Sequence, residues 1–456
     1  MIPYLLLPIG LAAVAYSLGI ATGFASDDYG WIRRAAFGQL GWDVAFQWTG
    51  HSNSLPFEIA LYRLKYFLFG FEPIGYHLFA LAGHMANVLL IYVLARRIGL
   101  GVQVAYIGAV LAAVLAGGSQ AVYWMSGDPH VWATLGILAA LVLYVDHRDK
   151  GGWWRYAAAV VLAAVAPLVK SEGVAMIGGV IAYELFWRQP RSWTWKFAPF
   201  LLTPVPFVVW EWTTTDQLQS QRGFGLNVVT GGLDYLRQIL LPFDPRHFFS
   251  GAGGGLHQLL NIGVGTTLYL EGAAVAVLLL LALRARQTYG LVLFAVTGSA
   301  PAFVVTLGTQ SRYAYFAGLL VSLVAAIGLM RLPELWRKRL PESRMVIAGA
   351  AAVALIAGIQ LWMTVQASSA LRVAHSESLA LRAAVLADHP SVPDDAPICL
   401  LDSPLDVGSA RAVFSDPRLG TNVGIPAVTE CGSAGDVPKG TWGYQRQPDG
   451  SYRQIR

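Results

Sequence analysis

Residues 2–24 read IPYLLLPIGLAAVAYSLGIATGF, and Ala25-Ser26-Asp27-Asp28 follows directly. The apolar run carries no charge and is about as long as a helix that crosses the hydrocarbon core of a bilayer. It has no basic n-region and no small-residue cleavage site, which favours a retained membrane helix over a signal peptide. Two adjacent carboxylates therefore lie at the predicted end of a membrane span, where ionisable groups are costly and mark functional sites.

Asp27 and Asp28 admit two interpretations. Neighbouring like charges repel each other, so one carboxyl group has a raised pKa and serves as a base. Alternatively, the two residues only begin an amphipathic surface helix, because Asp is favoured at a helix N-terminus. The other polar clusters of the chain favour the functional interpretation.

The composition predicts an all-α polytopic membrane protein. Of the 456 residues, 55% are hydrophobic and only 13% are charged, and the mean hydropathy is +0.51. A soluble protein of this length needs more charge to cover its surface. Hydrophobic runs between charged breaks predict about eleven spans, at 2–24, 76–95, 103–118, 129–146, 156–169, 172–187, 197–212, 265–283, 288–307, 313–330 and 346–365.

Basic residues predict the orientation of these spans. With a cytoplasmic N-terminus, most Lys and Arg fall in the inner loops, near 96–102, 147–155, 188–196, 284–287 and 331–345. The positive-inside rule favours this arrangement. The net charge of +5 is then explained by orientation, and no nucleic-acid partner is expected. Asp27 and Asp28 face away from the cytoplasm, where no nucleotide-sugar or ATP is available.

The two long outer loops differ in character. Residues 25–75 interleave aromatic residues with single basic ones, which predicts helices that lie in the membrane interface. Residues 213–264 are rich in Gln and Gly and contain Arg222 and Arg246. This second loop suits either a mobile cover over a site or a plain flexible connection.

Residues 366–456 are more polar than the chain that precedes them, with frequent Pro, Asp and Gly and only short strand-like runs. We predict a transmembrane domain at 1–365 and a small extracytoplasmic α/β or irregular module at 366–456. The two cysteines of the chain, Cys399 and Cys431, lie in this module. An extracytoplasmic location favours a disulfide between them over free thiols.

Polar side chains recur at the outer ends of other predicted spans, on the side of the aspartate pair. His77, His84 and Asn87 share one helix face, a pattern that helix–helix hydrogen bonding also explains. Asp128 can be the N-cap of the next span. The remaining outer groups are Trp124, His130, the ion-pair candidate Lys170-Ser171-Glu172, and Arg312, Tyr313 and Tyr315.

Carboxylates beside cations predict acid–base chemistry on an anionic substrate, most naturally a phosphate. A lipid-linked phosphosugar fits this setting, because its polyprenyl tail lies between helices while its phosphate lies at the interface. An aspartate would deprotonate an acceptor hydroxyl, and a cation would stabilise the departing lipid phosphate. The sequence has no metal-ligand spacing, Walker loop or Rossmann fingerprint.

The chain resembles the GT-C superfamily of polyprenyl-phosphate-sugar glycosyltransferases, which includes protein O-mannosyltransferases and aminoarabinose transferases. The resemblance covers roughly residues 1–330. It rests on the order of five short motifs, namely Asp27-Asp28, the entry to the second span at 70–78, Ala121-Val122-Tyr123-Trp124-Met125-Ser126-Gly127, Lys170-Ser171-Glu172 and Ser311-Arg312-Tyr313-Ala314-Tyr315.

The resemblance implies a membrane hexosyltransferase that moves a sugar, such as mannose, from a polyprenyl-phosphate carrier to an acceptor hydroxyl on a protein, lipid or glycan. The compact loops favour the inner membrane of a bacterium. The active site and the C-terminus would be extracytoplasmic. One aspartate would be the base, with Asp28 preferred over Asp27. The residues implied for the donor phosphate are Arg312, Lys170, Arg246 and Arg222, and those for the substrate are His77, Trp124, Asp128, His130, Glu172, Tyr313 and Tyr315. No cofactor is required, although a divalent cation at Asp128 and Glu172 stays open.

Two other functions stay open. A lipid flippase or transporter would use the same charged groups to bind a moving substrate, but such proteins favour midplane sites and paired broken helices. A glycan ligase that uses a lipid diphosphate donor shares the membrane setting. It is distinguished from the predicted enzyme only by the lipid that it releases.

Overall fold

The computed structural model of the protein describes residues 3–39, 55–188, 195–214, 276–305, 311–336, 341–403, 405, 407–419 and 423–455. These residues are mostly helical and include one small sheet. The helices are α1 (Pro3–Ile20), α2 (Asp28–Ala36), α3 (Pro56–Phe69), α4 (Pro73–Arg97), α5 (Val102–Ala113), α6 (Ser119–Tyr123), α7 (Pro129–Lys150), α8 (Trp153–Val169), α9 (Ala175–Ala182), α10 (Ala198–Leu202), α11 (Val205–Thr214), α12 (Arg286–Val305), α13 (Tyr315–Trp336), α14 (Glu342–Asp388) and α15 (Val407–Ala412).

Four stretches of described helix are long and apolar enough to cross a membrane, at Pro73–Arg97, Pro129–Lys150, Arg312–Leu332 and Ser343–Asp388. A fifth results if α5 and the segment Ala116–Tyr123, which bend by 48°, count as one span. The predicted number of eleven is therefore not confirmed. The predicted span 197–212, for example, is divided between α10 and α11 by Thr203-Pro204, because proline lacks the N–H that a helix interior needs. The predicted span 265–283 lies partly outside the described residues.

The centre of the bundle is built by α4, which packs against α1, α5 and α7. Its polar face forms interhelical hydrogen bonds, as the packing interpretation predicted. His84 Nδ1 lies 2.8 Å from the Tyr315 hydroxyl, and Asn87 Nδ2 donates to that hydroxyl at 3.1 Å and to the Val131 carbonyl at 2.9 Å. These bonds tie α4 to α7 and α13 within an otherwise apolar core.

The predicted domain boundary between 365 and 366 lies inside α14, which continues to Asp388. A four-stranded sheet follows, with strands β1 (Pro397–Leu401), β2 (Ala427–Glu430), β3 (Trp442–Arg446) and β4 (Tyr452–Gln454) in the order β2-β1-β3-β4. Strand β1 is parallel to β2 and β3, and β4 is antiparallel to β3. A disulfide joins Cys399 on β1 to Cys431, which follows β2.

This C-terminal module shares a hydrophobic core with the segment that follows α1. Buried Tyr29 and Ile32 of α2 lie in one cluster with Leu381 of α14 and with Phe414, which belongs to the short helix Val413–Ser415. The helix α2 is therefore held between α3 and the module. It begins at Asp28, so the module packs directly beside the aspartate pair.

Candidate functional site

Asp28 is buried at the start of α2, with only 1% of its surface exposed. Its Oδ1 accepts hydrogen bonds from the backbone N–H of Ser126 at 2.9 Å and from the Ser126 hydroxyl at 2.7 Å. Its Oδ2 accepts a hydrogen bond from the backbone N–H of Ala25 at 3.1 Å. Burial raises the pKa of Asp28 to about 7, although these three hydrogen bonds oppose the shift.

Asp27, in contrast, has an exposed side chain. It precedes the first residue of α2, but its carboxylate makes no capping hydrogen bond to the helix. The interpretation of the pair as simple helix-capping residues therefore finds no support in the geometry. A carboxylate must contact solvent or substrate to accept a proton from an external hydroxyl. Of the two neighbours, only Asp27 has the exposure that this requires.

A buried network surrounds the turn that holds Asp28. The Tyr62 hydroxyl of α3 donates to the Ser126 carbonyl at 3.2 Å and to Glu58 Oε1 at 3.4 Å. Lys65, one turn further along α3, pairs with Asp128 at 2.6 Å, and both side chains are fully buried. Asp128 occupies the predicted N-cap position of α7, but its side chain makes no capping hydrogen bond to the helix. Its contact with Lys65 ties α3 to the entrance of α7.

Lys170 and Glu172 do not pair with each other, contrary to the sequence expectation. Lys170 Nζ contacts Glu58 Oε1 at 2.7 Å, across 112 residues of sequence. Glu172 Oε1 is hydrogen-bonded to His130 Nδ1 instead. Lys170 follows the end of α8 and directly precedes the short helix Ser171–Val174, which contains Glu172. The contact of Lys170 is to α3, whereas the contact of Glu172 is to α7. The side chain of Lys170 remains 20% exposed.

Arg312 lies over the ring of Trp124, with Cζ 4.5 Å from the ring centroid, and beside the ring of Tyr313. The Trp124 indole N–H donates to the Ala25 carbonyl at 3.2 Å. None of the ion pairs among the described residues involves Arg312, and its buried Nη1 has no hydrogen-bond partner. One aromatic side chain thus separates this guanidinium from the loop of the aspartate pair.

The other predicted site residues lie in different surroundings. His77 Nε2 is hydrogen-bonded to the Thr22 carbonyl. The Tyr315 hydroxyl is hydrogen-bonded to His84 and to Asn87. His77 and Tyr315 therefore serve packing contacts within the bundle. Arg222 and Arg246 lie outside the described residues. Within the described part of the chain, no three His, Cys, Asp or Glu side chains come together as a metal site.

The sequence interpretation missed Glu58, Tyr62 and Lys65. They are spaced four and three residues apart on α3, a spacing that puts them on one helix face. Three polar side chains on one face of this largely apolar helix are the signal that identifies them. Their partners, Ser126, Asp128 and Lys170, come from the turn before α7 and the turn after α8.

An apolar groove opens next to this polar cluster. Its volume is about 660 Å³, and it lies between α3, α7 and α8. Phe57 and Val169, which line it, directly precede Glu58 and Lys170, and the groove extends along α7 past Trp132 to Ala139. Arg63 is its charged lining residue. An elongated apolar molecule with a charged end matches this combination of groove and cluster.

The arrangement brings together an exposed carboxylate, a buried carboxylate with a raised pKa, and two cations at one end of the helices. Such groups can deprotonate a hydroxyl and stabilise a departing anion. On one side, Arg312 is connected to Asp28 through Trp124 and Ala25. On the other side, Lys170 is connected to Asp28 through Glu58, Tyr62 and Ser126.

No family model matches the chain. Among curated proteins, it is similar to protein O-mannosyl-transferase TMTC3 of Homo sapiens, with 31% identity over 144 residues, which are 30% of this chain. The mouse TMTC3 protein is 30% identical over 142 residues. These matches span only 15% of the length of each relative.

Solved structures extend the similarity to nearly the whole chain. ArnT from Cupriavidus metallidurans bound to undecaprenyl phosphate aligns with a TM-score of 0.50 and 14% identity, over 98% of this chain and 93% of ArnT. The apo form of ArnT aligns with a TM-score of 0.51 and 15% identity over the same shares. The chain therefore shares its fold with ArnT along nearly its whole length.

Proposed function

We propose that the protein transfers a sugar from a polyprenyl-phosphate carrier to an acceptor hydroxyl on the extracytoplasmic side of a bacterial inner membrane. The observation that carries this function is the meeting of the aspartate pair, Lys170 and Arg312 beside an apolar groove. An orientation with a cytoplasmic N-terminus follows from the positive-inside rule and puts this cluster outside. About eleven spans, including the shorter apolar helices, complete this topology.

Asp27 is the proposed base, in preference to Asp28. A base must lie within hydrogen-bond reach of the proton that it takes, and only the side chain of Asp27 is exposed. Asp28 is already bonded by Ser126 and Ala25, so it positions the loop and the start of α2. This assignment reverses the preference drawn from the sequence, where burial was not visible.

The donor phosphate binds between Lys170 and Arg312. The guanidinium of Arg312 keeps a buried nitrogen without a partner, which suits an incoming phosphate oxygen. Lys170 is partly exposed, and its contact with Glu58 fixes its ammonium group at the end of the groove. As the bond between the sugar and the phosphate breaks, both cations stabilise the negative charge on the leaving lipid phosphate.

The polyprenyl tail occupies the groove between α3, α7 and α8. The groove begins at Phe57 and Val169, next to the proposed phosphate site, and its walls are apolar. The ArnT structure is bound to undecaprenyl phosphate, a lipid of this kind. Mannose is the first sugar to test, because the TMTC3 relatives are O-mannosyl-transferases.

The test measures transfer from radiolabelled polyprenyl-phosphate sugars in membranes that contain the wild-type protein or a variant. We expect Asp27→Asn to lower transfer by about 10²–10⁴-fold and Asp28→Asn to lower it less. Arg312→Ala is expected to raise the KM for donor and lower kcat. Arg155→Ala is the matched control, because Arg155 contacts only the nearby Gly151 carbonyl and the Trp154 ring, at the other end of α8.

Each competing function has its own outcome in this assay. Release of a lipid diphosphate from diphosphate donors would identify a glycan ligase. Movement of intact lipid-linked sugar between leaflets, with no transfer from any donor, would identify a flippase. Full activity of Asp27→Asn would remove the proposed base, and unchanged donor kinetics of Arg312→Ala would remove the phosphate site.

A further inference from the structure

One face of α2 is exposed and begins at the proposed base. The other sides of this helix pack against α3 and the C-terminal module. The remaining face carries Asp27, Gly30 and Arg34, whose spacings of three and four residues put them on one side of a helix. Asp27 and Arg34 are exposed, and a Cβ atom at Gly30 would meet no atom within 4 Å. Asp27 therefore lies at one end of an open surface.

Two arginines give this surface a positive charge. Arg34 Cζ lies 5.2 Å from the centroid of the Trp31 ring, and Arg33 Cζ lies 5.4 Å from the centroid of the Phe37 ring. Within the part of the chain that the structure describes, neither arginine forms an ion pair. Nη1 of Arg33 is also buried without a hydrogen-bond partner. The two guanidinium groups are thus left without a described carboxylate to neutralise them.

Membrane topology does not account for this pair of charges. Arg33 and Arg34 follow the end of α1 at Ile20 closely, within the roughly 15–20 residues over which basic charge sets orientation. In the proposed orientation they lie on the outer side, where the positive-inside rule disfavours them. Guanidinium groups bind phosphate and carboxylate through charge-assisted hydrogen bonds. An anionic ligand at this surface would explain both residues.

The helix sets the distance between the base and the cations. Seven residues of α-helix rise about 10 Å, which is about the length of two sugar rings. A molecule that places a hydroxyl group at Asp27 and an anionic group at Arg34 therefore lies across Gly30. Trp31 is partly exposed beside this path, and its ring is stacked on the Tyr62 ring at 4.3 Å. Such a fixed aromatic side chain offers a sugar ring a rigid apolar surface.

We propose that this face of α2 binds the acceptor and selects a saccharide that carries a phosphate or carboxylate group about two rings from the reacting hydroxyl. The assignment rests on the glycosyl transfer proposed above, with Asp27 as its base. Arg33 and Arg34 hold the anionic group, and Gly30 leaves the path between them and Asp27 open. The two arginines determine specificity and take no part in the bond changes at the anomeric carbon.

The experiment compares maltose 1-phosphate with maltose, a pair of disaccharides that differ only in charge. Binding of each labelled sugar to purified protein is measured, as is its inhibition of transfer to the membrane acceptor. The wild type should bind maltose 1-phosphate about tenfold more tightly, the effect of one hydrogen bond to a charged group. Arg33→Gln/Arg34→Gln should lose this preference and keep the wild-type KM for the donor. Arg453→Gln, which changes an exposed arginine on β4, should keep the preference.

A pair of variants at Gly30 tests the path by its size. Both side chains enter open space, so both variants should fold. Gly30→Phe should lose transfer to the membrane acceptor with an unchanged KM for the donor, because the ring lies between Asp27 and Arg34. Gly30→Ala should stay close to the wild type. Equal transfer by Gly30→Phe and Gly30→Ala would contradict the path.

The remaining outcomes separate this surface from the proposed function. Equal binding of the two sugars by the wild type, or an unchanged preference in Arg33→Gln/Arg34→Gln, overturns the acceptor surface. Equal inhibition by the two sugars, with wild-type transfer that depends on phosphatidylglycerol in the vesicles, also overturns it and assigns the arginines to lipid headgroups. In these cases the glycosyltransferase function stands if Asp27→Asn is inactive. If the wild type transfers sugar from no donor, the proposed function fails and the acceptor role fails with it.

Discussion

Lys65 of α3 and Asp128 at the entrance of α7 form an ion pair in which both side chains are completely buried, with Nζ 2.6 Å from Oδ1. Lys65 Nζ also donates to the Met125 carbonyl at 3.2 Å and lies over the Tyr62 ring. The desolvation of two charges costs several kcal/mol, and only close geometry and additional hydrogen bonds offset it. The pair fixes α3 to the turn that contains Ser126, and thereby supports Asp28.

Removing one member of this pair should therefore destabilise the protein strongly. We expect Asp128→Asn to lower the free energy of unfolding by about 3–5 kcal/mol, because it leaves a buried ammonium without its counterion. The double variant Lys65→Met/Asp128→Asn should recover most of this loss, since neither site then holds a charge. Thermal unfolding in detergent measures both effects.

The control for this prediction is Lys150→Met, which removes an exposed ion pair with Asp146 one turn away on the same helix. Such a pair contributes less than about 1 kcal/mol. A double variant as unstable as the sum of the two single variants would show that Lys65 and Asp128 act independently.

The buried carboxyl of Asp28 predicts a pH dependence of stability. Burial raises its pKa from 3.8 to about 7, so the folded protein binds this proton more tightly than the unfolded chain does. The free energy of unfolding should then fall as the pH rises from about 4 to about 7, by up to about 1.4 kcal/mol per pH unit. Asp28→Asn should flatten this part of the curve, because asparagine does not titrate.

The measurement is the midpoint of thermal unfolding at several pH values between 4 and 8 for both proteins. Asn at position 28 keeps an oxygen that can accept the hydrogen bonds of Ser126, so a folded variant is expected. Parallel curves for the wild type and Asp28→Asn would mean that Asp28 does not titrate in this window.

Hydropathy predicted the long helices well, because an apolar run of sufficient length has few alternatives to a membrane helix. The predicted span 76–95 corresponds to α4 at Pro73–Arg97, and the predicted span 129–146 to α7 at Pro129–Lys150. Short spans were less predictable, since proline breaks and short or irregular helical turns depend on local backbone geometry. Thr203-Pro204 between α10 and α11 is one such break.

The polar residues around Lys170, Glu172 and the aspartate pair were predictable from the sequence, but the contacts between them were not. Lys170 and Glu172 are two residues apart and were expected to pair, whereas they contact Glu58 and His130. Residues two apart do not face each other on a helix, and tertiary packing chose their partners. Burial likewise separates Asp27 from Asp28, and no local sequence pattern encodes that difference.

The contact between the C-terminal module and α14 depends on Asp416. This carboxylate accepts hydrogen bonds from Arg382 at 2.7 Å and from Arg418 at 2.6 Å. Although burial raises the pKa of Asp416, the hydrogen bonds from the two arginines hold that pKa below its ordinary value. Its stabilising effect is therefore complete above the unfolded pKa and is lost as the pH falls through the folded pKa.

Asp416→Asn should loosen the module and expose the segment around Phe414 to protease at neutral pH. Wild-type protein should show the same sensitivity only on strong acidification. Asp449→Asn is the control, because Asp449 is an exposed residue of the same module whose carboxylate bonds Ser451. Equal cleavage of Asp416→Asn and wild type at neutral pH would contradict this role of Asp416.

The turn that carries Lys170 and Glu172 requires glycine at position 173. A Cβ atom at Gly173 would lie 2.0 Å from the Pro167 backbone nitrogen and 2.3 Å from the Ala166 carbonyl carbon. Backbone atoms cannot move aside as a flexible side chain can, so Gly173→Ala must shift the turn away from α8. We expect the free energy of unfolding to fall by about 1–3 kcal/mol. Sugar transfer should fall by more than this loss of stability alone would cause, because Lys170 and Glu172 move together.

Gly10→Ala is the matched control for this change. A Cβ at Gly10 meets no atom within 4 Å, and alanine in a helix interior is favoured over glycine by up to about 1 kcal/mol. Thermal unfolding should therefore show Gly10→Ala at least as stable as the wild type, with unchanged transfer, whereas Gly173→Ala lowers both the stability and the transfer rate. If Gly173→Ala kept both the stability and the transfer rate of the wild type, the close approach of this turn to α8 would not be what positions Lys170 and Glu172.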